Sequence, residues 1–167
     1  VIACNTASTI VLPTLRAVID VPVVGVVPAI KPAARATRSG RIGLLATPAT
    51  VSRPYLEQLI TDYAADCELT RVGSSELVRM AEAGLGDAPI PSSALEPILE
   101  PLIEADVDTV VLGCTHFPLL QPALEQVMGP EVVWVDSGEA IARRVANLLE
   151  GATGESQGSS EPEHQLL

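Results

Sequence analysis

The sequence predicts an α/β fold with a mostly parallel sheet. Short aliphatic, often β-branched runs alternate with longer stretches of helical periodicity along the chain. Gly, Pro and hydroxyl residues punctuate the joints between them. The apolar share is 47%, yet only one Trp, two Tyr and one Phe occur in 167 residues, so the core must be aliphatic.

Each element follows from local chemistry. Val1–Ala3 reads as the end of an apolar strand, and Thr6–Val18 as a helix that must absorb Pro13. Val21–Val27 is β-branched enough for a buried strand or an extended crossover. A basic helix carrying Lys31, Arg35 and Arg38 is expected to stop at Ser39-Gly40, before a clean strand at Arg41–Ala46. Thr50 or Ser52 can cap a helix through Tyr63, with Pro54 in its first turn. Leu69–Val72 reads as a strand, and Ser75–Ala83 as a helix stopped by Gly84. Gly86–Pro91 reads as a loop. Ser92 or Ser93 can cap a helix through Ala105, where Pro97 and Pro101 predict a kink or a late start. Asp108–Leu112 is the strongest strand. Pro118–Met128 follows as helix, Val132–Val135 as strand and Glu139–Leu149 as helix with a stop at Gly151. Residues 152–167, rich in Gly, Ser and Glu, read as a disordered tail.

Composition excludes several function classes. The formal net charge is −11, the opposite of what a nucleic-acid groove or an anionic membrane surface selects. No apolar run approaches the roughly 20 residues of a membrane span. The three cysteines, Cys4, Cys67 and Cys114, cannot all pair within the chain and form no CxxC pattern. That argues against a stapled secreted scaffold and for a cytoplasmic protein. Lys31 is the sole lysine, and its setting beside Pro32 offers no phosphate cradle for a pyridoxal enzyme.

In parallel sheets, ligands bind beyond the carboxyl ends of the strands. Two such ends look alike: Val1-Ile2-Ala3-Cys4-Asn5-Thr6-Ala7-Ser8 and Val111-Leu112-Gly113-Cys114-Thr115-His116-Phe117-Pro118. Each has a strand, a small residue, a Cys, polar residues and then a helix. A helix N-terminus presents unpaired N–H groups and positive dipole, which favour thiolate. A lone Cys after a strand is most often a small buried hydrophobe; two in matching polar contexts point to chemistry instead. Cys67, between Asp66 and Glu68, reads as structural. Two cysteines facing each other across a cleft suit one reaction. A thiolate takes a proton from carbon on one face and a thiol returns one on the other, inverting a stereocentre without a cofactor.

These two stretches resemble the paired signature motifs of the glutamate racemase family, within the aspartate/glutamate racemase superfamily. The resemblance extends to about Gly151. It implies interconversion of L- and D-glutamate without pyridoxal phosphate or metal, supplying D-glutamate for peptidoglycan. Cys4 and Cys114 would be the acid/base thiols, one for each direction. Asn5 and Thr6 would hold substrate near the first thiol, and Thr115 and His116 near the second, with His116 also assisting Cys114. The stretch Leu77–Gly84 resembles the family segment bearing an auxiliary acid, which points to Glu82. The implied fold is two similar flavodoxin-like domains with the active site between them. Residues 28–136 would be the second domain, and 1–27 with 137–151 the incomplete first. The partner is a small molecule, glutamate; a homodimer stays open.

Two further expectations come from the resemblance. Family members carry an Asp-Ser-Gly stretch before the first cysteine, whereas this chain starts at Val1 without Met, so it reads as a piece of a longer enzyme that would not turn over alone. Asp136-Ser137-Gly138 is a similar tripeptide, but it follows the last strand and does not match that position. Aspartate racemase is the nearest rival, although its relatives tend to carry Glu where this chain has His116 and His where it has Ser8. Hydantoin racemase and arylmalonate decarboxylase resemble the motifs less. A non-catalytic acidic protein of the gyrase-binding type and a zinc site at Cys4, Cys114 and His116 are the readings from other classes.

Overall fold

A computed structural model describes residues 1–84 and 90–152. Its centre is a four-stranded sheet, β1 (Arg41–Ala46), β2 (Glu68–Gly73), β3 (Thr109–Leu112) and β4 (Val133–Val135), in the order β2-β1-β3-β4 with every pairing parallel. The fold class is therefore the expected α/β one. The two inner strands are buried on both faces, which is why they read as unbroken aliphatic runs.

Alternation along those strands divides the core in two. Leu45, Val110 and Leu112 face helices α5 (Glu76–Gly84), α6 (Ser92–Glu104) and α7 (Gln121–Met128), where Leu77, Leu95, Leu99, Leu102 and Leu124 are buried. Ile42, Leu44, Ala46 and Val111 face helices α2 (Ile30–Ala36) and α4 (Pro54–Tyr63), through Ile30, Ala33 and Leu56. At about 25 cal/mol per Å² of apolar surface removed from water, these two aliphatic layers are the main stabilising term.

The remaining pieces lie to one side. Helix α1 (Asn5–Val18) keeps Pro13 inside it, and α8 (Gly138–Ala152) closes the described chain. Residues 21–27 form the extended crossover, with one parallel bridge between Ile2 and Gly25 as their only sheet pairing among the described residues. No described helix is long and apolar enough to cross a membrane.

Several local expectations are corrected. The basic helix α2 ends at Ala36, not at Ser39-Gly40, because Asp108 captures the chain beyond it. Its carboxylate accepts hydrogen bonds from the Thr37 hydroxyl (2.6 Å) and the amides of Arg38 and Ser39 (both 2.7 Å). Gly40, at φ +76°, then turns the chain into β1. Neither Thr50 nor Ser52 caps α4. Thr47 caps a separate turn, α3 (Pro48–Val51), and Arg53 is held extended by Pro54 at the start of α4.

Helix α6 starts at Ser92, not late, with Pro91 rather than a serine as its N-cap. Pro97 and Pro101 lie four apart on its exposed face, so the carbonyls they leave without intrahelical partners, those of Ser93 and Pro97, sit on the solvent side. The expected Pro118–Met128 helix is divided into a 3₁₀ turn, Phe117–Leu120, and α7, with Pro122 in the first turn of α7. Helix α8 runs through Gly151 to Ala152, the first residue of the expected tail; the rest of that tail and most of the Gly86–Pro91 loop lie outside the described residues.

Asp108 locks the bottom of the sheet. Burial pushes its carboxyl up, but bonds from Thr37, Ser39, Arg38 and the Thr109 hydroxyl together hold it well below the usual carboxylate range. A depressed folded pKa means stability that is present above the unfolded pKa and lost as pH falls toward the folded one. Asp108→Ala should cost about 1–3 kcal/mol in urea unfolding near neutral pH. The gap to the native chain should narrow in strong acid; a gap independent of pH would contradict the assignment.

Candidate active site

The sheet order reverses between β1 and β3: the chain leaves β1 toward β2 on one side, then returns to β3 and β4 on the other. A crevice opens at such a switch point, outside the carboxyl ends of the strands. Thr47 follows β1 there and Cys114 follows β3. Gly113 allows the two ends to close up, since a Cβ on it would lie 2.9 Å from Leu44 Cδ1 and 3.1 Å from the Leu45 carbonyl oxygen.

Cys114 is 8% exposed, and a line of polar groups runs outward from it. Its Sγ lies 3.6 Å from His116 Nδ1, and His116 Nε2 lies 3.4 Å from a Glu82 carboxylate oxygen. The sequence reading named all three, and the fold joins them across α5 and the 3₁₀ turn. The expectation that Cys114 favours thiolate is corrected. Burial pushes its pKa up; the His116 and Phe117 backbone amides pull it down, and Cys4 adds to the rise. The helix that follows is a single 3₁₀ turn, so little dipole opposes desolvation.

Cys4 has a different setting. It is exposed and is the N-cap of α1, where its Sγ accepts a bond from the Ala7 amide at 3.4 Å. Thr115 is exposed and its hydroxyl reaches the Ala3 carbonyl at 3.5 Å, which links the two cysteine loops. Asn5 is 3% exposed, and its buried Oδ1 has no hydrogen-bond partner among the described residues. It lines a cavity of about 210 Å³ together with Cys114, Thr115, Asp136 and Ser137. Such an acceptor favours a ligand that brings a donor.

Thr6 is tied elsewhere. Its hydroxyl lies 3.0 Å from that of Thr47 and 2.9 Å from that of Thr50, which are 3.0 Å from each other. Three converging hydroxyls can turn their hydrogens toward a carboxylate. Sequence reasoning missed Thr47 and Thr50. The strand-end rule applied to Arg41–Ala46 would have found Thr47, whereas Thr50 needs the fold. It also set aside Asp136-Ser137-Gly138, which lines the cavity because β4 ends beside β3. Cys67 is half-buried against the α2–α4 layer, away from these groups. Among the described residues no group of three or more His, Cys, Asp or Glu could hold a metal ion.

Comparison with known proteins gives the wider setting. A family model described as Asp/Glu/Hydantoin racemase matches residues 1–145. A glutamate racemase of Shewanella sp. (strain ANA-3) is 54% identical over 167 residues, covering 100% of this chain and 61% of that protein. The crystal structure of Escherichia coli glutamate racemase, in complex with L-glutamate and the activator UDP-MurNAc-ala, superposes with TM-score 0.84 at 56% identity. That match covers 89% of this chain and 57% of the E. coli chain. Glutamate racemase from Thermus thermophilus, in complex with beta-chloro-D-alanine, gives TM-score 0.68 at 34% identity, covering 93% and 57% of the two chains. The chain thus spans about three fifths of the length of relatives it matches. With the model match running through both cysteine loops and the whole sheet, this chain belongs to the Asp/Glu/Hydantoin racemase family.

Proposed function

We propose that the protein carrying this chain is a cofactor-independent glutamate racemase that supplies D-glutamate for peptidoglycan in the cytoplasm. The observation that carries the reading is the Glu82–His116–Cys114 line at the sheet's switch point, with a second cysteine loop joined to it through Thr115. The similarity to the E. coli enzyme captured with L-glutamate favours glutamate over other amino acids as the substrate. In this reading, residues 28–136 form one lobe, and 1–27 with 137–151 belong to the other.

In one direction the Cys4 thiolate takes the α-proton and the Cys114 thiol returns one to the opposite face. In the other direction the roles exchange. Burial keeps Cys114 in its thiol form at rest, so it starts as the acid. His116 can accept its proton when it must serve as base, and Glu82 stabilises the imidazolium that results. The Asn5 Oδ1 acceptor suits the substrate ammonium. The Thr6, Thr47 and Thr50 hydroxyls and Thr115 suit its carboxylates.

The test is circular dichroism of L- and D-glutamate with the gene product that carries this sequence, against aspartate and a hydantoin. Glutamate should turn over fastest; preference for either rival would overturn the assignment. Cys4→Ala and Cys114→Ala should each lower racemisation by about 10²–10⁴-fold, the usual worth of a positioned acid or base. The thiolate absorbance that Cys114→Ala removes should titrate above the ordinary thiol range, so Cys114 works as an acid until pH climbs through that raised value. Titration below that range would remove the stated division of roles. Glu82→Gln should slow turnover no more than about fivefold, because the His116–Glu82 pair is solvent-exposed and worth about 1 kcal/mol at most.

A further inference from the structure

The geometry points to Ser137 as a positioning residue: its hydroxyl clasps the two chain crossings between the lobes and so sets how the two thiols face each other. This rests on the racemase reading and its division into lobes. Ser137 is 7% exposed, and its Oγ donates to the Val27 carbonyl at 2.6 Å. Val27 is the last residue before the chain leaves the Cys4 side for the sheet. Ser137 is the second residue after β4, where the chain comes back. One part-buried bond therefore joins the outgoing and returning crossings.

What lies on either side gives the clasp its leverage. On one side a buried hydroxyl knits residues 1–27 together: Ser8 Oγ donates to the Ile2 carbonyl at 3.2 Å and accepts from the Val26 amide at 3.0 Å. Cys4 and Val27 are thereby parts of one piece. Helix α8 faces the same piece across a second cavity, lined by its half-buried Ile141 and Leu148 and by Ile19, Val23 and Val24. None of its described residues is fully buried, so packing alone holds it weakly. On the other side Cys114 is fixed to β3. Ser137 and Cys114 line the same cavity. A rotation about the crossings moves Cys4 against Cys114, and a bond across both crossings restrains it.

The proton transfers make that spacing measurable. Removal of the α-proton turns thiolate and substrate into thiol and carbanion. Racemisation then needs the opposite thiol to give up its proton and become thiolate. If the lobes are misplaced, the first thiol returns its own proton after exchange with solvent, and label enters the starting enantiomer. Turnover of L-glutamate in deuterium oxide by the gene product carrying this sequence reads both fates. Ser137→Ala and Ser137→Val should lower racemisation about tenfold or more, since a displacement of about 1 Å can cost 10²-fold. Both should raise deuterium in recovered L-glutamate, and Ser137→Thr, which keeps the hydroxyl, should restore both readouts. Wild-type kcat, KM and label partition in folded Ser137→Ala or Ser137→Val would overturn the proposal. Should the native protein fail to racemise glutamate at all, the functional reading falls. Amide exchange then judges the clasp alone: faster exchange at 26–30 and 137–141 in Ser137→Ala supports it, and unchanged exchange refutes it.

Discussion

Everything in the site depends on two parallel strands, buried on both faces, that end side by side. β1 and β3 pair in register from Ile42 with Thr109 to Leu45 with Leu112, and Gly113 continues the contact through a 2.7 Å bond from its amide to the Leu45 carbonyl. A side chain at Gly113 would collide with β1 and push the ends apart. Because they stay together, Thr47 and Cys114 emerge at one edge of the sheet. The α1 loop docks onto that edge through hydroxyl groups, and His116 reaches back to α5. Parallel pairing makes this an economical arrangement, since every strand delivers its following loop to the same side.

The inner strands were legible because burial on both faces demands unbroken aliphatic runs, and nothing in a loop imitates Ile42-Gly43-Leu44-Leu45 or Val110-Val111-Leu112. The paired cysteine loops were legible for the same reason: they follow such runs. The errors cluster where a long-range partner decides a local outcome. Thr37–Gly40 has the composition of a helix end, but Asp108, far along the chain, fixes where the helix stops. Pro97 and Pro101 look like breakers until their fourfold spacing is seen to turn both toward water. The Thr6–Thr47–Thr50 cluster joins segments about forty positions apart in sequence, and no periodicity announces it.

Cys114 shows how a sound local argument can be outweighed. A cysteine between a strand and a helix should feel the helix dipole, and amides of His116 and Phe117 do favour its charged form. The following helix is short, however, and the sulfur lies among apolar side chains, so desolvation decides the sign. Cys4 occupies the true N-cap of a 14-residue helix and is exposed. Two similar motifs thus set their sulfurs in unlike surroundings. The proposed two-base inversion would have use for that difference, because one sulfur would have to be the base while the other is the acid.

Ser8 illustrates how closely the first motif is packed with separate tasks. In the sequence it was a mark of substrate preference, since aspartate racemase relatives tend to carry His there. In the fold it is fully buried and is not among the residues that line the cavity beside Cys114; its hydroxyl binds Ile2 on one side and Val26 on the other. An imidazole could not occupy that space without parting the bridge between Ile2 and Gly25, where Leu12 already closes in on the glycine. Along one helical turn, Cys4 caps, Asn5 faces the cavity, Thr6 ties to the sheet edge and Ser8 holds the crossover. Ser8 therefore works on the scaffold, fixing the piece of chain that carries Cys4.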